Sequence, residues 1–228
     1  MPVTGSNTQI CVRVARSGFL FQTDSSKTGH SSSWMDAGSI FTVEEFQRRY
    51  DSVQVSLFTP KFTLVPDSFL TPGQERVLLG GVTDLGEDDR ISSVALPQLG
   101  VTLLYSLSLG ETLSGTVAGM LRRTDGSASA VLPEIYYMLE SLSDIPQYNK
   151  IVAGFADGRL YLVVAEGGTL RLCNVFDAAD FTSAEYFLFL AVKKLNLNPE
   201  LSDVYFRTPL SESEEISLCS YFRSVERL

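Results

Sequence analysis

ADGRLYLVVAEGGTLRLCNVF, residues 156–176, decides the fold. Asp157-Gly158 is the strongest two-residue hairpin signal, because a type I′ turn needs positive φ at both central positions. RLYLVVA (159–165) follows as an apolar strand, Glu166-Gly167-Gly168 turns the chain again, and TLRLCNVF (169–176) runs back. Upstream, KIVAGFA (150–156) supplies a third run, so the spacing predicts a three-stranded antiparallel meander. Downstream, Thr182-Ser183-Ala184-Glu185 leads into a strongly apolar helix, EYFLFLAVKKL. A turn at 196–200, a strand DVYFRTPL (203–210) and a final helix SESEEISLCSYFRSVERL (211–228) complete the order βββαβα.

Toward the N-terminus the pattern is mixed. QICVRVA (9–15) and FLFQTD (19–24) flank Ser17-Gly18 and predict a hairpin. SSKTGHSSSW (25–34) is a polar loop with nothing to bury, expected to be mobile. Thr42 as N-cap with Glu45 as its capping-box partner predicts a helix through FQRRY. VQVSLF (53–58), KFTLVP (61–66), ISSVAL (91–96) and VTLLYSLS (101–108) read as strands, the last two turned by Pro97 to Gly100, and the second half of SFLTPGQERVLLG as a helix. Starting at Gly110, ETLSGTVAGMLRR places Leu113, Val117, Met120 and Leu121 at helical spacing, and PEIYYMLESL carries Pro133 at a helix N1 position. The expected junction lies in SDIPQYN (143–149), giving an N-terminal half, 1–147, and a C-terminal half, 148–228.

Composition excludes several classes. The 228 residues carry a net charge of −9 with scattered Lys and Arg, the wrong field for nucleic acid or an anionic membrane. No apolar stretch approaches the ~18 residues of a membrane span, and MPVTGSNTQICVRV has no secretory pattern. Cys11, Cys173 and Cys219 are sparse and unpaired in spacing, which suits free thiols in a cytoplasmic protein. His30 is the only histidine, so a histidine triad or a multi-histidine metal site has little to work with. Gly-x-Ser-x-Gly, Gly-x-x-x-x-Gly-Lys and Gly-x-Gly-x-x-Gly do not occur. The acidic stretch GGVTDLGEDDR (80–90) lacks EF-hand spacing and is expected to be a solvated surface loop.

KFTLVPDSFL, VTLLYSLS before a helix, and GRLYLVVAEGGTLRLCNVFDAADFTSAEYFLFLAVKKLNLNPE together resemble a bacterial domain-of-unknown-function family, from about Ile10 to Arg207. That family has a degenerate actin-like ATPase fold and is distantly similar to the pilus-assembly protein PilM and the cell-division protein FtsA. The resemblance implies an α/β fold of mixed sheets, duplicated as two ribonuclease H-like halves facing a nucleotide cleft, with βββαβα as one half.

In that superfamily a phosphate hairpin resembles Asp-x-Gly followed by Thr or Ser, the acid positioning magnesium or water and the glycine admitting phosphate to the backbone. Here Asp157 and Gly158 are adjacent, Arg159-Leu160-Tyr161 follow, and turn geometry accounts for both residues. RVARSGFLFQTD has no acid before Ser17-Gly18, and Arg207-Thr208-Pro209 stands where a Gly-Gly adenosine motif is expected. The sequence therefore suggests a pseudo-ATPase without cofactor that binds a protein partner or itself. A diverged ATP- and magnesium-binding enzyme is the alternative, with Asp24, Asp157 and Gly158 at the phosphates. Asn174 and Asp177 are further cleft candidates. The helix carrying Tyr186, Phe187, Leu188, Phe189 and Leu190 is apolar nearly all round, which predicts burial on more than one side or a self-association surface.

Overall fold

The computed structural model describes residues 8–24, 30–108 and 111–228. The start MPVTGSN, the first half of the polar loop at 25–34 and the helix-opening Gly110 lie outside them. The chain packs as two compact units, Met1–Glu134 and Ile135–Leu228. The division falls before a helix that the expected junction at 143–149 would leave in the first half.

The first unit begins with β1 (Gln9–Ala15), β2 (Gly18–Asp24), β3 (His30–Ser31) and β4 (Met35–Asp36). It continues with β5 (Arg49–Tyr50), β6 (Ser52–Leu57), β7 (Phe62–Pro66), α1 (Glu75–Gly80), β8 (Ile91–Leu96) and β9 (Val101–Ser106). Helix α2 (Glu111–Met120), β10 (Arg122–Arg123) and β11 (Val131–Pro133) complete it. Its main sheet runs β11-β6-β1-β2-β3, with β4 also on β2. The pair β1–β2 is antiparallel with Val12 opposite Phe21, and β6 lies parallel to β1 with Val55 opposite Val12. Alternation puts Ile10, Val12 and Val14 on one face, where they close a core with Val117 and Leu121. A second sheet runs β7-β9-β8, all antiparallel.

Three expectations change here. The helix capped by Thr42 is instead two short 3₁₀ helices, Ala37–Thr42 and Glu44–Gln47, and the Thr42 hydroxyl donates to the Ser39 carbonyl. Ile40, Val43 and Phe46 are all buried, and their spacing of three suits the three-residue period of a 3₁₀ turn. Helix α2 stops at Met120 because Arg122–Arg123 pairs with β5 instead of extending it. In the acidic loop most residues are exposed, but Asp89 is buried and organises its surroundings. Its carboxylate accepts from Lys61 Nζ at 2.5 Å, the Gly86 N–H at 2.7 Å and the Ser106 hydroxyl at 2.7 Å.

The second unit opens on α3 (Glu134–Ser141), whose first residue closes the unit before it; Pro133 is the last residue of β11, not helical N1. Strands β12 (Asn149–Ala156), β13 (Arg159–Glu166) and β14 (Thr169–Asp177) form the expected meander, Val152 opposite Val163 and Val163 opposite Cys173. Helix α4 (Phe181–Lys194) starts one residue before Thr182, because Asp180 is the N-cap and accepts the Ser183 N–H at 2.8 Å. Strand β15 (Asp203–Phe206) lies parallel to β12.

The chain's last segment departs from expectation. Helix α5 (Glu212–Cys219) is short, and β16 (Ser224–Arg227) adds parallel to β15, so the order is βββαβαβ. Phe222 is the cause: it is buried and stacks on Phe189 with ring centroids 5.4 Å apart, which ends the helix and returns the chain to the open edge of β15. The sheet order is therefore β14-β13-β12-β15-β16, with α4 and α5 covering the face of Ile151, Leu162 and Val204.

Candidate functional site

The β12–β13 turn is where the resemblance puts phosphate chemistry, so its geometry is the test. Ala156 pairs with Arg159, leaving Asp157 and Gly158 as the two turn residues, with φ of 52° and 68°. Both values are positive, the type I′ signature. Aspartate tolerates this left-handed region better than most residues, and glycine adopts it without steric cost. The Gly158 carbonyl accepts the Ala178 N–H at 2.8 Å. One pair further along, Arg159 Nε donates to Asp177 Oδ1 at 2.9 Å. The structure thus gathers Asp157, Gly158 and Asp177 at one corner of the sheet, with the turn tied to the end of β14.

The other candidates lie elsewhere. Asp24 is exposed at the end of β2, opposite Gln9, in the first unit. Asn174 is exposed on β14 and borders an apolar groove beside α4. Gly18, in the other hairpin, is needed for packing: a Cβ there would stand 2.1 Å from the Met35 carbonyl oxygen of β4. At the position of the missing Gly-Gly step, Thr208 is buried and its hydroxyl accepts the Phe155 N–H at 3.0 Å. Helix α5 beyond it is closed by a capping box, Ser211 with Glu214, and carries Glu212, Glu214 and Glu215 in its first turn. Helix N-termini attract anions through their dipole, and here three carboxylates already occupy that field.

Among the described residues no group of three or more His, Cys, Asp or Glu side chains converges as a metal site, and no helix is long and apolar enough to cross a membrane. Burial raises the Cys173 thiol to about 12, which makes it a poor nucleophile.

Two features escaped the sequence reading. One is a buried ion pair in the first unit: Arg13 Nε lies 3.4 Å from Glu134 Oε1, and Ser56 donates to the other carboxylate oxygen. Its only signal was a single charge inside the apolar run QICVRVA. The other is the groove beside β14, lined by Leu172, Phe176, Phe187, Leu190 and Leu195, with a volume of about 230 Å³.

Comparison with known proteins agrees with this architecture. A family described as Protein of unknown function (DUF3822) matches residues 16–225. A search among curated proteins finds no match. Among solved structures, the chain is similar to a Bacteroides thetaiotaomicron protein with an actin-like ATPase fold and unknown function. The TM-score is 0.65 at 16% identity, over 98% of this chain and 91% of that one. It is also similar to the PilM–PilN type IV pilus biogenesis complex, with a TM-score of 0.50 at 12% identity over 96% and 88%. The fold is that of the actin-like ATPases.

Proposed function

The chain belongs to the DUF3822 family, and from that premise we propose a non-catalytic member of the actin-like fold, cytoplasmic and without a nucleotide cofactor, that works by binding protein. The observation that carries this reading is the β12–β13 turn. Its geometry uses Asp157 and Gly158 as a type I′ pair, and the Gly158 carbonyl and Asp177 are engaged by Ala178 and Arg159. The Met35 carbonyl against Gly18, the buried Thr208 and the three acids opening α5 point the same way. Each of these groups is accounted for by the protein's own packing, turn and capping contacts. Protein binding draws support from the likeness to PilM, a fold relative seen in complex with PilN.

Calorimetry with ATP, with and without magnesium, tests the proposal. The expected result is no magnesium-dependent binding at millimolar nucleotide, for wild type and Asp157→Asn alike, since Asn-Gly supports the same turn. Micromolar binding that weakens ten-fold or more, about 1.4 kcal/mol, in Asp157→Asn would overturn it in favour of a diverged ATPase built on Asp24, Asp157 and Gly158.

A further inference from the structure

The two edges of the second unit's sheet are unlike. Strand β16 has four residues and ends in Glu226 and Arg227, whereas β14 has nine, none of them Lys or Pro, and none of the nine is fully buried. Short length, charge and proline are the usual defences of a free edge; the charges of β14, Arg171 and Asp177, are each ion-paired within the chain, so its uncharged run 172–176 is an open template for strand addition. Only a bulge near Arg171, where the register to β13 shifts, interrupts its ladder, leaving 172–177 regular.

We propose that the occupant is a second copy of this chain, paired antiparallel β14 to β14 about a two-fold axis through Asn174. This names the partner in the protein-binding reading above and rests on it. Self-complementarity selects the register. Centred on Asn174, Leu172 faces Phe176 and Cys173 faces Val175 of the other copy, apolar with apolar, while Arg171 and Asp177 keep their in-chain partners Glu166 and Arg159. Centred on Cys173, Leu172 would face Asn174; centred on Val175, Asn174 would face Phe176 and Cys173 would face Asp177. Opposite residues across an antiparallel ladder share a face, so of these three registers the Asn174 one matches chemistry at every pair between 172 and 176. An isologous contact of this kind closes on itself. The two five-stranded sheets become continuous, and both grooves beside α4 lie on one face, flanking the axis.

The full-length chain is measured by sedimentation velocity at about 50 μM, well above a micromolar dissociation constant. Wild type is expected to sediment as a dimer. Asn174→Lys, which brings two like charges together at the axis, should weaken dimerisation at least roughly ten-fold with the circular dichroism spectrum unchanged. In a Cys219→Ser background, which removes the exposed thiol at the end of α5, Asn174→Cys should form an intermolecular disulfide under mild oxidant, while the background alone, with Cys173 opposite Val175, does not. A monomeric wild type without cross-linking in Asn174→Cys overturns the proposal, as does a dimer indifferent to Asn174→Lys. Capture of an unrelated extended peptide by β14 of a monomeric wild type overturns the second copy as occupant. Nucleotide calorimetry separates this failure from that of the pseudo-ATPase reading: a monomer that ignores magnesium-ATP sinks only the dimer, and a dimer that binds it sinks only the other.

Discussion

Glu134 is fully buried, accepts from Ser56 and faces Arg13, itself only 4% exposed. Removing one member of such a pair leaves the other charge in low dielectric. Glu134→Gln should therefore destabilise the chain by about 3–5 kcal/mol in urea unfolding, and adding Arg13→Met should recover part of that loss. Asp89 makes a different prediction. Desolvation pushes its pKa up, but hydrogen bonds from Lys61, Ser106 and the Gly86 N–H, with the Lys61 charge, outweigh it and hold the carboxyl well below the ordinary range. A depressed folded pKa contributes stability that is present above the unfolded value of about 3.9 and is lost as pH falls from there toward the folded pKa. Asp89→Asn should thus lower stability at neutral pH and flatten the acid limb of a stability–pH profile; an unchanged acid limb would refute the assignment. Asp157-Gly158 was legible in the sequence because turn chemistry is local. The partners of Glu134 and Asp89 were not, since Ser56 and Glu134 stand 78 positions apart and Lys61 and Asp89 stand 28 apart.

The meander, α4 and the β8–β9 pair were legible as elements because each carries its own period. Those that differ were decided by packing that no local window contains: Phe222 on Phe189 for β16, and the three-residue spacing of Ile40, Val43 and Phe46 for the 3₁₀ turns. Helix α4, apolar nearly all round in sequence, resolves into a buried stripe of Ala184, Leu188, Ala191 and Val192, with Tyr186 63% exposed. Phe187 sits between, stacked on Phe176 with ring centroids 5.0 Å apart. Substitutions should read out that asymmetry. Leu188→Ala creates a cavity beneath the sheet and should cost about 2–5 kcal/mol, whereas Tyr186→Ala, on the outer face, should stay within about 0.5 kcal/mol. Comparable losses from both in denaturant titration would mean that Tyr186 is covered in solution.

For the whole molecule, thermal stability separates what the fold's relatives suggest from what this chain's residues suggest. A ligand that binds only the folded state raises stability by RT ln(1 + [L]/Kd), about 2.7 kcal/mol at a hundred-fold excess over Kd. A functioning nucleotide site would therefore show as a melting temperature that climbs with magnesium-ATP at fixed protein concentration. The braced β12–β13 turn and the acids at the start of α5 predict a flat response. The net charge of −9 adds a long-range field that disfavours any polyanion before contact is made. The same mass-action law predicts the opposite behaviour toward protein concentration, because each copy is a ligand for the other. Raising the chain from about 1 to about 100 μM should lift the melting temperature of wild type but not of Asn174→Lys, whose β14 edges repel. A melting temperature that follows magnesium-ATP and ignores protein concentration would reverse both assignments and return the fold to catalysis.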